Sequence, residues 1–106
     1  ANGEVEEQIS QIRYFIKKKM DVIVVIAVDG EALSQVVDEA KAQGIRVIAF
    51  DRLLTNADAD LYISFDNEMV GRLMAEALAQ ALPQGGNIFM INGSPKGFTT
   101  GLPTAV

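Results

Sequence analysis

The sequence contains no cysteine and no histidine. The first absence excludes disulfides and thiolate chemistry. The second removes the usual general base and the commonest metal ligand, and with them most acid–base and metal-centred readings. Positive charge is also scarce: 9 Lys and Arg against 14 Asp and Glu leave a net charge of −5. A phosphate-binding surface needs a basic face, so no nucleic-acid partner is expected. The dense basic run Lys17-Lys18-Lys19 reads as the cationic last turn of a helix. No apolar run approaches the roughly 20 residues a membrane helix needs, so direct membrane insertion is not expected. Neither the P-loop spacing nor G-x-G-x-x-G occurs, and Asp58 and Asp60 lack the EF-hand spacing. No cofactor and no metal are therefore expected.

What is present suits a packed α/β domain. The chain has 106 residues, 49% of them hydrophobic and 22% charged, which is enough for one small domain with a real core. Val5, Ile9, Ile12 and Ile16 recur at helical spacing over residues 4–19, with Asn2 as a candidate N-cap. Val22 to Ala27 is a continuous, mostly β-branched run that predicts a central parallel strand. A helix is predicted over 31–43, capped by Asp29 or Gly30 and stopped by Gly44. The run 45–50 predicts a second strand covered on both faces. After a loop over 53–61 come a short extended piece over 62–65, a helix over 67–82 ended by Pro83 and Gly85-Gly86, and a strand over 87–91. Residues 96–106 carry no periodicity and read as an irregular tail. Three strands are few for two-sided covering, and the first helix has no strand before it, so the expectation is a piece of a larger α/β protein.

The sharpest chemical feature is Asp51-Arg52, directly after the second strand. In an open α/β sheet, ligands bind beyond the carboxyl ends of the strands. Asp51 is an acceptor-only group and Arg52 a five-donor planar fork, so the pair is the leading candidate for ligand contact. The alternative is that Asp51 caps a loop while Arg52 pairs with Asp58 or Asp60. Asp29 ends the first strand and reads as a helix cap or as a second cleft residue. Asn92 and Ser94 end the last predicted strand and are candidates for the same cleft. Asp66 opens the run Asp66-Asn67-Glu68, a helix start, and reads as its cap.

The runs Ala1-Asn2-Gly3, Gln8-Ile9-Ser10-Gln11-Ile12, Val28-Asp29-Gly30-Glu31-Ala32-Leu33-Ser34, Val47-Ile48-Ala49-Phe50-Asp51-Arg52 and Tyr62-Ile63-Ser64-Phe65-Asp66-Asn67-Glu68 resemble the type I periplasmic sugar-binding proteins of ABC transporters. The match extends to about residue 95. It implies a doubly wound parallel sheet in each of two lobes, of which this chain holds part. Residues 1–64 would belong to the N-terminal lobe, and 65–95 to the hinge crossing and the start of the C-terminal lobe. Ser64, Phe65, Asp66 and Asn67 would form that crossing.

The resemblance further implies a non-enzymatic protein of the periplasm, or of the extracytoplasmic face of the envelope. It would bind a monosaccharide, D-xylose, in an interlobe cleft and serve an ABC transporter permease. Asp51 and Arg52 match the family's sugar-contacting pair. After Gly93-Ser94-Pro95 the family continues with an Asp/Asn-rich loop that supplies a sugar-binding Asn; this chain has Lys96-Gly97-Phe98-Thr99-Thr100, so that ligand is not carried over. Because the fold is shared, a sugar-sensing domain of a lactose-repressor-type transcription regulator, or of a sensor-kinase partner, is the alternative.

Overall fold

The computed structural model describes residues 1–91. Within them the order is α1 (Val5–Lys17), β1 (Val22–Val25), α2 (Ser34–Ala42), β2 (Arg46–Phe50), β3 (Leu61–Ile63) and α3 (Asn67–Ala81). The three strands form one parallel sheet in the order β1-β2-β3. The chain divides into two compact units, one from Ala1 to Ser64 and one beginning at Phe65.

In the first unit, burial alternates along each of the first two strands. Ile23, Val25 and Ala27 are buried while Val22, Val24 and Ile26 are exposed; Val47 and Ala49 are buried while Ile48 and Phe50 are half-buried. The buried set packs with Leu33, Val36, Val37 and Ala40 from α2 and its lead-in turn, and with Ile12 from α1. Each such side chain removed from water stabilises the fold by about 1.5–3 kcal/mol for Val, Leu or Ile. Both helices thus share one side of the sheet. Arg13 on α1 holds Glu39 on α2 through two bonds, Nε to Oε2 at 3.0 Å and Nη2 to Oε1 at 2.9 Å.

Several expectations need correction. β1 is the edge strand and β2 the central one, because β1 pairs with β2 alone among the described residues. The two-sided covering predicted for these strands is one-sided here, since the helices of the first unit lie on a single face and leave Val24 61% exposed. Asn2 does not cap α1. It adopts φ +47° in a turn closed by Glu4 N–H on the Ala1 carbonyl at 2.7 Å, and Glu4 occupies the cap position. α2 begins at Ser34 rather than at 31, because residues 30–33 form a separate turn. Gly44 does close α2 with φ +77°.

In the second unit, Asp66 caps α3: its Oδ1 accepts from Met69 N–H at 2.9 Å. Glu68 stands in the first turn, where the helix dipole favours an anion. The predicted strand at 87–91 is not formed. Among the described residues no strand pairs with it, and a strand exists only as part of a ladder. The tail at 96–106 lies outside the described residues.

Candidate functional site

Asp51 follows β2 directly and takes φ +65°. Left-handed backbone is uncommon away from glycine, though Asp and Asn tolerate it better than most. Arg52 N–H returns to the Phe50 carbonyl at 2.7 Å, which closes a three-residue turn around Asp51. A positive φ at the centre of such a turn is its rare, strained form. Strain of this kind costs about 1–3 kcal/mol and persists only where the surroundings over-determine it.

The surroundings do so here. Asp51 N–H donates to the Ile63 carbonyl at 2.8 Å. The Asp51 carbonyl accepts from Ser64 Oγ at 3.0 Å and from the Tyr62 hydroxyl at 3.3 Å. The backbone of Asp51 is therefore held entirely by β3 and the residue that follows it. The residue is half-buried, and its carboxylate forms no hydrogen bond or ion pair among the described residues.

Arg52 points the other way along the sheet end. Its Nη1 donates to the Ala27 carbonyl at 3.2 Å and lies 3.5 Å from the Val28 carbonyl. The register Val25↔Ala49 sets the ends of β1 and β2 side by side, so the guanidinium spans both. A guanidinium has five N–H donors, so Nε and Nη2 remain for a ligand. The expected alternative, Arg52 paired with Asp58 or Asp60, does not form. Those carboxylates belong to Lys41, whose Nζ lies 3.0 Å from Asp58 Oδ2 and 3.6 Å from Asp60 Oδ1 and also meets the Asp58 carbonyl. The hydrogen bond from Lys41 to Asp58 raises the lysine pKa above its usual value. Asp60 is held below the usual carboxylate value, chiefly because Val47 N–H donates to its Oδ2 at 2.8 Å.

Asp29 lies beyond the end of β1, past Ile26, Ala27 and Val28. Its Oδ1 accepts from Glu31 N–H at 3.0 Å and Ala32 N–H at 3.1 Å, so it caps the turn before α2. Gly30 is there for packing. A Cβ built on it would lie 2.2 Å from the Leu53 carbonyl oxygen, and its own carbonyl accepts from Thr55 N–H at 3.1 Å. The loop after Arg52 thus rests directly on the β1–α2 turn, pinned by buried Leu54.

Of the candidate residues, the structure brings Asp51 and Arg52 to one turn, with Asp29 in the turn that follows β1 and Ser64 bonded to Asp51. Phe65, Asp66 and Asn67 begin the second unit, Asp66 as the cap of α3 and Asn67 as its first residue. Asn92 and Ser94 lie outside the described residues. Two contributors escape sequence reasoning. Gln8 on α1 donates from Nε2 to the Ile26 carbonyl and accepts at Oε1 from Val28 N–H, both at 2.8 Å. Tyr62 supports the Asp51 carbonyl. Neither has a periodicity signal; only the Asp29-Gly30 turn dipeptide hinted at the close approach made by Gly30. Among the described residues, no group of three or more Asp or Glu side chains could hold a metal, and no helix is long and apolar enough to cross a membrane.

The comparisons with known proteins agree with one another. The chain is 54% identical over 95 residues to the D-xylose-binding periplasmic protein of Escherichia coli K12, and 53% identical to that of Haemophilus influenzae; each match covers 90% of this chain. It spans 28% of the length of both relatives. A solved ABC transporter solute-binding protein from Clostridium phytofermentans, with bound β-D-glucose, superposes with a TM-score of 0.82 at 32% identity, over 92% of this chain and 32% of that one. The fold is accordingly part of the type I periplasmic-binding-protein α/β fold. A periplasmic binding protein domain model matches residues 1–100, and the chain belongs to that family.

Proposed function

We propose that this chain is part of the substrate-binding component of a sugar ABC transporter. It takes a monosaccharide, D-xylose, on the extracytoplasmic side of the membrane and serves a permease there, without catalysis. Asp51 and Arg52 are the sugar contacts of the first unit. The observation that carries the reading is the turn after β2. It holds a half-buried aspartate whose carboxylate has no protein partner among the described residues, beside a guanidinium anchored at one edge only. The relatives named for D-xylose support the choice of sugar.

The chemistry follows from the groups. Each pentose hydroxyl both donates and accepts. Asp51 accepts from hydroxyls, and the outward edge of Arg52 donates to neighbouring ones, so the pair reads orientation as well as presence. Because Arg52 is already tied to Ala27, less side-chain freedom is lost on binding. Asp29, with Oδ1 committed to its turn, is a second candidate contact. Residues Ser64 to Asn67 serve as the crossing that bends when the lobes of the full protein close on the sugar.

The test is calorimetric titration of D-xylose into the full-length protein that carries this segment. Hydrogen bonds to charged groups contribute about 1.5–3 kcal/mol, so Arg52→Ala should weaken binding by roughly 10- to 150-fold. Asp51→Ala should lose a comparable factor. Affinity unchanged in both variants overturns the reading.

A further inference from the structure

Ser64, the last residue of the first unit, is joined to the turn after β2 by a hydrogen bond to the Asp51 carbonyl. We propose that Ser64 is a positioning residue for sugar binding, acting through the backbone of Asp51; the inference rests on the proposed sugar-contacting role of that residue. Ser64 Oγ donates to the Asp51 carbonyl at 3.0 Å, with the Tyr62 hydroxyl on the same oxygen at 3.3 Å. Asp51 sits at φ +65°, a conformation that relaxes unless something holds it. If the peptide after Asp51 turns, the carboxylate swings with it, since the side chain is attached at the centre of the turn. The Ser64 hydroxyl, together with Tyr62 and the Ile63 carbonyl, thus helps fix where the carboxylate of Asp51, one residue past β2, points.

Position adds a second consequence. Ser64 is followed at once by Phe65, where the second unit begins. Any rotation of the backbone at this junction acts on the Ser64 hydroxyl and, one hydrogen bond later, on Asp51. The aim of the sugar-contacting carboxylate is therefore coupled to the crossing segment rather than set by β2 alone. Ser64 touches no sugar in this scheme.

The experiment uses the full-length protein and D-xylose, with affinity from titration calorimetry and fold from thermal unfolding. Loss of this neutral hydrogen bond in Ser64→Ala should weaken binding about fivefold. Ser64→Thr keeps the hydroxyl and should restore affinity to within about twofold of the parent. Tyr62→Phe removes the longer bond to the same carbonyl and should lose about twofold, which keeps the test open if Ser64→Ala does not fold. Arg13→Ala is the control: it breaks the ion pair between α1 and α2 and should lower the melting temperature without changing affinity. Parent-like affinity in Ser64→Ala, or equal losses in Ser64→Ala and Arg13→Ala, would overturn the inference. Retained binding in Arg52→Ala and Asp51→Ala would instead overturn the underlying sugar-contact reading.

Discussion

Arg52 donates from Nη1 to the Ala27 carbonyl at 3.2 Å, so a side chain ties the end of β2 to the end of β1 beyond their paired residues. A lysine at this position reaches one carbonyl but has no planar fork left to offer outward. Arg52→Lys in the full-length protein should therefore unfold at nearly the same temperature as the parent while binding D-xylose about tenfold more weakly, a split read by thermal unfolding and calorimetry on one sample.

Gly30 faces the Leu53 carbonyl with no room for a methyl group. Gly30→Ala forces backbone against backbone, and neither side is a flexible side-chain end. Overpacking of this sort costs about 1–3 kcal/mol. The loop that follows Arg52 must move, so a lower urea midpoint should come with weaker sugar binding. A variant that loses stability but keeps parent affinity would show that the loop does not support the site.

Gln8 gives both polar ends of its carboxamide to the chain after β1. Gln8→Leu leaves the half-buried Val28 N–H without its partner, at about 1–3 kcal/mol. The urea midpoint should fall accordingly. Hydrogen exchange at the Val28 amide should accelerate more than at Val47, whose N–H bonds to Asp60.

Glu39 and Asp60 both titrate below their ordinary values of 4.5 and 3.8, the first through its hydrogen bond from Arg13 and the second through that from Val47 N–H. A carboxyl group lowered by folding contributes stability above its unfolded pKa, and the contribution is lost as pH falls through the folded one. Urea unfolding at a series of pH values should show stability level near neutrality and declining from about pH 4.5 downward. Asp60→Asn should reduce that decline, and an identical acid slope in parent and variant would refute the assignment to Asp60.

Much of this was legible from residue order. The β-branched runs located β1 and β2, the helical spacing located α1 and α3, and Asp51-Arg52 stood out because an acceptor and a fork follow a strand end. What stayed hidden were contacts made by tertiary approach. Arg52 meets backbone carbonyls rather than Asp58 and Asp60, because Lys41, in the last turn of α2, claims those carboxylates. The left-handed Asp51 depends on partners from β3. The apolar run at 87–91 has the composition of a strand, but composition does not supply a neighbour to pair with.

Gln8 carries one more consequence. Arg46 N–H bonds to the Asp21 carbonyl, so odd-numbered residues of β1 turn their backbone groups toward β2 and even-numbered ones turn theirs outward. Ile26 carbonyl and Val28 N–H are therefore outward groups, and the carboxamide engages them in the acceptor-and-donor pattern that a parallel strand would use. The strand carries its own stop. Whatever joins this margin of the sheet finds outward backbone at Val22 and Val24 and a closed ladder beyond, so a glutamine on a neighbouring helix limits how far such pairing can run.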